Sequence, residues 1–259
     1  MKKDFRQHFD LLLNKIKDKE NFAFARFSDG ELFVLQNKEL KLDDNYIQVG
    51  DNITGGPYKP ADFKHFDPKK HSFYRDKLIE SFKNKQKNYY KGISCSCCVG
   101  KEDFDWQINL HGGDDESLTW ANLWVNGNYN SFIQKVLPLL YSRKCVFIGH
   151  ESANLSKLPF FINDFRVGYN AMINDYPKIE NIGKWIKDNK IKNHIFLFSA
   201  ASFTNLAIHQ LYKNHPDNIF IDIGTCLAPM MELPIQRDYL QRYWLYQGGG
   251  DSNKICIWN

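Results

Sequence analysis

The chain lacks any uninterrupted run of 18 or more apolar residues, so no membrane-spanning helix is expected. Its first residues lack the charge-free apolar core of a signal peptide. Phe5, Phe9, Leu12, Leu13 and Ile16 recur at helical spacing with Asp10 between them, which reads as an amphipathic packing helix and suggests a cytoplasmic protein. A basic arm is missing too. The net charge is +4 over 259 residues and the lysines are scattered, which argues against a nucleic-acid partner. The densest basic stretch, Lys83, Lys85, Lys87 and Lys91 interleaved with Tyr89 and Tyr90, reads as a solvated helix end, with peripheral contact to membrane headgroups or an anionic acceptor as the alternative.

The two cysteine pairs of a usual structural zinc site are absent: Cys95-Ser96-Cys97-Cys98 could suggest zinc, but no second pair accompanies it. Cys145, Cys226 and Cys256 stand alone, so the expectation is small buried thiols at a strand end, kept reduced. There is also no internal repeat, low-complexity tract or clear interdomain linker. One α/β domain over residues 1–259 is expected, with a loop-rich acceptor or lid region at about 50–130.

What is present is an ordinary globular composition, 43% hydrophobic and 25% charged, which sets disorder aside. The aromatic share of 15% suits sugar stacking, but an aromatic core explains most of it. Phe22 to Phe27, Gly92 to Ser96, Cys145 to Gly149, Ile195 to Phe198 and Ile219 to Ile223 read as strands. Helices are expected behind Glu31, across about Ser72 to Lys85, from Leu118 to Trp124, along Phe132 to Leu140, and over Thr204 to Lys213. Val49 to Lys70, with Gly50, Gly55, Gly56, Pro57, Pro60 and Pro68, reads as a long surface loop. Strands apolar on both faces, alternating with helices, predict a Rossmann-like, doubly wound, mostly parallel sheet.

The first strand ends in a chemically loaded turn, Arg26-Phe27-Ser28-Asp29-Gly30-Glu31. Two carboxylates one residue apart can share a hard cation, which commonly enters proteins together with substrate phosphates. Gly30 permits a tight turn and Arg26 can meet a phosphate oxygen. The plainer alternative is an Asp-Gly turn followed by a first-turn helix acid. Ser199-Ala200-Ala201-Ser202, between a strand and a helix, can admit a phosphate or simply cap the helix. Asp222 and Gly224 end another strand, where Asp222 can hold a ribose hydroxyl or cap its own turn.

Arg26 to Glu31 resembles the R-F-G-D-G-E signature of the GT-D class of bacterial glycosyltransferases, with Ser28 where that family usually has glycine. The Ser199 to Ser202 turn is similar to that family's small-residue turn, and Asp222-Ile223-Gly224-Thr225 is similar to its D-I-G-H pattern, with Thr225 at the histidine. The resemblance implies a GT-D-like fold and transfer of a sugar from a nucleotide diphosphate sugar, with a UDP-sugar as the expected donor. It implies Mn2+ or Mg2+ held by Asp29 and Glu31, and a donor site drawn from Arg26, Ser28, Gly30, Ser199, Ser202, Asp222 and Gly224. The acceptor would be a glycan or a lipid-linked or protein-linked sugar. His150, Glu151 and Asp115 are the candidates for the base that deprotonates it, and the sequence does not choose among them. Trp120 and Trp124 are candidates for sugar stacking. A metal-dependent phosphohydrolase and a non-catalytic nucleotide- or carbohydrate-binding module are the rival readings.

Overall fold

The computed structural model describes residues 4–43, 46–55 and 63–245. In chain order its elements are α1 (Phe5–Lys17), β1 (Ala23–Phe27), α2 (Asp29–Leu35), β2 (Leu40–Leu42), β3 (Tyr46–Val49), β4 (Asn52–Gly55), β5 (Lys64–Phe66), α3 (Ser72–Lys83), β6 (Tyr89–Ile93), α4 (Ser96–His111) and β7 (Leu118–Trp120). A helical run follows, made of α5 (Tyr129–Ser131), a wider π turn (Phe132–Val136) and α6 (Leu137–Leu140). The chain then forms β8 (Cys145–His150), β9 (Phe161–Val167), α7 (Ala171–Asn174), α8 (Lys178–Asp188), β10 (Ile195–Ser199), α9 (Ser202–Asn214), β11 (Ile219–Asp222) and α10 (Asp238–Trp244).

Seven strands form one sheet in the order β7-β6-β1-β11-β10-β8-β9, every pairing parallel. Each strand feeds two cores because successive side chains point to opposite faces. Phe22 and Phe24, Ile195 and Leu197, and Ile219 and Ile221 pack on one face with α1, the 129–140 run and α10. Ala23 and Ala25, Phe196 and Phe198, and Phe220 pack on the other with α2, α3, α8 and α9. The sheet is therefore doubly wound, as its strands buried on both sides require.

The functional consequence lies between β1 and β11, which are neighbours. After β1 the chain enters α2 on one face, and after β11 it passes to the opposite face through Cys226, Leu227 and Met231. A crevice opens at the carboxyl ends of adjacent strands whose connections diverge, and open α/β sheets bind ligands there.

Several expectations are corrected. The segment read as a long loop contributes β4 and β5 to a four-stranded antiparallel sheet, β4-β3-β2-β5, anchored by buried Leu40 and Phe66. Residues 56–62, including Gly56, Pro57 and Pro60, lie outside the described residues. Within the region at about 50–130, α3 and β6 lie near the helix and strand read there, with β6 ending at Ile93 and α4 starting at Ser96, and α4 and β7 are added. Leu118 opens a strand rather than a helix: Trp120, Leu123 and Trp124 have helical spacing, but Leu118 and Trp120 fit period two, and the edge of β6 takes up the segment in register, Lys91 beside Leu118. Trp124 is wholly buried, and Trp120, also buried, stacks on Phe104 with centroids 6.1 Å apart, so neither indole presents a face to a sugar. Lys91 is no solvated helix end but a buried strand residue. Of the clustered thiols, Cys95 is buried as expected, whereas Cys97 and Cys98 are exposed in the first turn of α4. Among the described residues no helix is long and apolar enough to cross a membrane.

Candidate active site

A cavity of about 440 Å3 occupies the crevice, lined by Arg26, Ser28, Asp29 and Glu31 from β1 and α2, by Ser199 to Ser202, and by Asp222 and Gly224. The residues that the sequence offered as separate motifs thus share one wall. They converge because β1, β10 and β11 are contiguous and parallel, so their carboxyl ends emerge side by side.

The two acids of the D-x-E turn are not equivalent. Glu31 is 4% exposed, and its carboxylate accepts hydrogen bonds from Ser28 N–H (3.1 Å), Ser28 Oγ (2.8 Å) and Ser202 Oγ (2.6 Å). It reaches back to its own helix start and across to α9, clamping the two turns together. Asp29 is exposed at the cleft and accepts only from the adjacent Gly30 N–H among the described residues. Lys64, from β5, brings its Nζ to 3.2 Å from where a side chain on Gly30 would begin, so the turn runs directly beneath an ammonium group.

Arg26 faces inward. Its Nε donates to Ala121 O, and its Nη1 lies 3.7 Å from Asp222 Oδ1, an ion-pair contact. Asp222 also accepts from Arg26 N–H (3.3 Å) and Gly224 N–H (2.8 Å). Burial pushes its carboxyl up to about 6 while the Arg26 guanidinium opposes the rise. Asn205 Nδ2 donates to Arg26 O at 2.7 Å, so β1, β11 and α9 are joined by side chains behind the cleft wall.

Ala201, the residue before α9, sits at φ +46 and ψ −141, a conformation that disfavours any residue with a Cβ. Its methyl cannot cap the helix, and Ser202 is spent on Glu31. Strain of this kind concentrates at ligand-binding turns.

The three candidate bases separate. Asp115 precedes β7 and so lies at the amino-terminal edge of the sheet, away from the cavity, paired with Lys85 at 2.6 Å. It is removed as a candidate by its place. His150 lines the cleft, its ring 5.3 Å from that of Tyr169. Its Nδ1 accepts from Ser152 N–H at 3.2 Å, so the neutral ring carries its proton on Nε2 and acts as a donor there. Glu151 is exposed at the next position and does not line the cavity.

Sequence reasoning named His150 but missed Asn122, Gln236, Phe63 and Tyr169 at the cleft. Asn122 Nδ2, His150 Nε2 and Gln236 Nε2 are buried atoms with no hydrogen-bond partner among the described residues, and all three side chains line the cavity. Buried donors are rarely left unmade, so a ligand with acceptor oxygens suits this wall. Phe63 and Tyr169 line the cleft with rings 5.5 Å apart, supplying the aromatic surface expected of the tryptophans. No sequence motif marks these four; Asn122 follows β7, Gln236 precedes α10, Phe63 precedes β5 and Tyr169 follows β9.

No protein-family model and no curated protein matches the chain. Solved structures do. The chain superposes on a structure described as a new glycosyltransferase (DUF1792) from Streptococcus sanguinis, with a TM-score of 0.53 and 11% identity, over 87% of this chain and 84% of that one. It also superposes on the domain of unknown function 1792 described as having a distinct glycosyltransferase fold, with a TM-score of 0.51 and 12% identity, over 85% of this chain and 79% of that one. A selenomethionine-substituted structure of the same domain gives the same values. The chain is therefore an α/β protein with the fold seen in these glycosyltransferase-fold structures.

Proposed function

We propose that this protein is a metal-dependent glycosyltransferase that moves a sugar from a nucleotide diphosphate donor to a hydroxyl of a glycan or of a lipid- or protein-linked sugar. The observation that carries the reading is the gathering of Asp29, the strained Ala201 turn and Asp222 on one cleft at the sheet's switch point. In this reading the diphosphate lies against the start of α9, whose first N–H groups have no side-chain cap, with the Lys64 ammonium adding charge.

Asp29 suits a hard cation that arrives with phosphate: it is a carboxylate open to the cleft, with no basic side chain paired to it among the described residues. Bound there, Mn2+ or Mg2+ would offset the negative charge on the departing diphosphate. Glu31 holds the two turns in position, and Arg26 aligns β1 with β11 rather than meeting phosphate through Nε. The Nε2–H of His150 and the amides of Asn122 and Gln236 offer donors to sugar hydroxyls, and Glu151 on the rim remains the carboxylate able to accept a proton from the acceptor.

A thermal-shift panel of nucleoside diphosphates and nucleotide sugars, each with Mn2+, Mg2+ or chelator, tests the reading. A rise in Tm for one nucleotide only with metal, followed by transfer to an acceptor that Asp29→Ala abolishes, supports it. Release of inorganic phosphate instead of transfer points to a phosphohydrolase. Nucleotide affinity unchanged by Asp29→Ala, with no turnover, points to a binding module.

A further inference from the structure

The thiols of Cys95, Cys97 and Cys98 converge at the start of α4. Cys95 Sγ lies 2.7 Å from Cys97 Sγ and 3.4 Å from Cys98 Sγ, and all three sulfurs fall within 4.8 Å of one another. Among the described residues this is the only group of three potential metal-ligating side chains so close together. The turn that carries them is set apart from the rest of the helix, since Gly100 at φ +81 interrupts α4 immediately after Val99. Cys95 is 2% exposed and fixes one corner of the triangle, while Cys97 and Cys98 are exposed. Cys95 and Cys98 also line the cleft.

We propose that Cys95, Cys97 and Cys98 bind one thiophilic cation of the Zn2+ or Cu+ class as a three-sulfur site, with any further coordination position turned toward the cleft. Sulfurs sharing a tetrahedral ion with bonds of about 2.3 Å lie about 3.8 Å apart, which rotation of the two exposed side chains reaches from the observed spacings. A disulfide would engage two of the sulfurs and leave the third without a role, whereas three sulfurs within 4.8 Å of one another can share one ion. Binding releases the thiol protons to solvent and changes no oxidation state. Sulfur selects soft ions and carboxylate selects hard ones, so this site and Asp29 would not compete for the same metal. The proposal does not depend on the glycosyltransferase reading.

The test uses the full chain, reduced and stripped of metal under anaerobic conditions. Co2+ and Zn2+ are titrated against a chromophoric competing chelator, and Cu+ is titrated separately. The expected result is one equivalent per chain, with a near-ultraviolet thiolate-to-cobalt charge-transfer band. The Cys97→Ser, Cys98→Ser double variant should lose that band and bind Zn2+ or Cu+ more than about tenfold more weakly. Equal thermal unfolding of the two metal-free proteins separates lost ligands from lost folding. Equal metal uptake by wild type and double variant overturns the site. So does, in the protein as purified before reduction, an intact mass two hydrogens short with no metal retained, which would assign the cluster to a disulfide.

Discussion

The guanidinium of Arg26 occupies the space that a side chain on Gly224 would need. A Cβ on Gly224 would stand 2.1 Å from Arg26 Nη1, and Gly224 itself lies at φ +51. Two residues nearly two hundred positions apart thus fix each other's identity at the floor of the cleft.

Gly224→Ala should therefore carry two costs, the left-handed backbone and the collision, together about 2–4 kcal/mol. In an Arg26→Ala background the collision disappears and only about 1–2 kcal/mol should remain. Urea unfolding of the four proteins, read as midpoints at constant m, measures both. Equal losses in the two backgrounds would show that the contact has no energetic weight.

The acids of the turn should divide stability from activity. Asp29→Ala removes a carboxylate that, among the described residues, is bonded only to its neighbour, and should change stability by less than about 1 kcal/mol while lowering metal-dependent turnover at least about a hundredfold. Glu31→Ala leaves Ser28 N–H, Ser28 Oγ and Ser202 Oγ without their acceptor and should cost about 2–4 kcal/mol. Denaturant midpoints and turnover, measured on the same preparations, separate the roles. A stability loss as large for Asp29 as for Glu31 would contradict the geometry.

The contrast between these acids shows where sequence reading succeeds. The strand ahead of Arg26, the paired Ile195 and Ile219 strands and the turns that follow them were legible because both-face burial and small-residue turns leave local marks. That Asp29 meets the cleft while Glu31 turns back to Ser28 and Ser202 was not legible, because it depends on α9 arriving from 171 positions away. The small antiparallel sheet was hidden for another reason. Its strands are three or four residues long and lie among glycines and prolines that read as loop, so their register comes from pairing rather than from periodicity. Lys91 misled in the opposite direction: a lysine in a basic run looks solvated until β1 and β7 close over it.

Ala201→Gly should stabilise the protein. The conformation at φ +46, ψ −141 strains an alanine and suits a glycine, so strain relief of about 1–3 kcal/mol outweighs the extra chain entropy and leaves a gain of about 1 kcal/mol. Thermal unfolding should show a rise of about 2–4 °C. A fall in Tm would mean that the turn is relaxed with alanine in place.

Lys91 sets a pH dependence of stability with a defined sign. Its side chain is fully buried on β6, its Nζ donates to Asn84 O and to Ser117 Oγ, and burial pushes the ammonium down to about 7, with Asp115 opposing and Lys85 assisting. In the unfolded chain the same group keeps its ordinary value of 10.5. Between these values the unfolded chain holds a proton that the folded one has released, so stability rises with pH across the window; below about pH 7 both forms are charged and the burial penalty is complete. Other shifted groups act mostly elsewhere: Asp222 below about pH 6, the lowered histidines below their ordinary 6.5, and buried Tyr89 and Tyr129 above 10, while the raised thiols of Cys145 and Cys226 oppose the climb from about pH 9 upward. Urea midpoints should therefore climb from pH 7 to pH 9 in the wild type. Lys91→Met should flatten that climb and gain about 1 kcal/mol at pH 7, because an apolar chain of similar length fills the site without a charge to desolvate. An unchanged slope in the variant would mean that Lys91 stays protonated throughout and that the fold pays nothing to bury it.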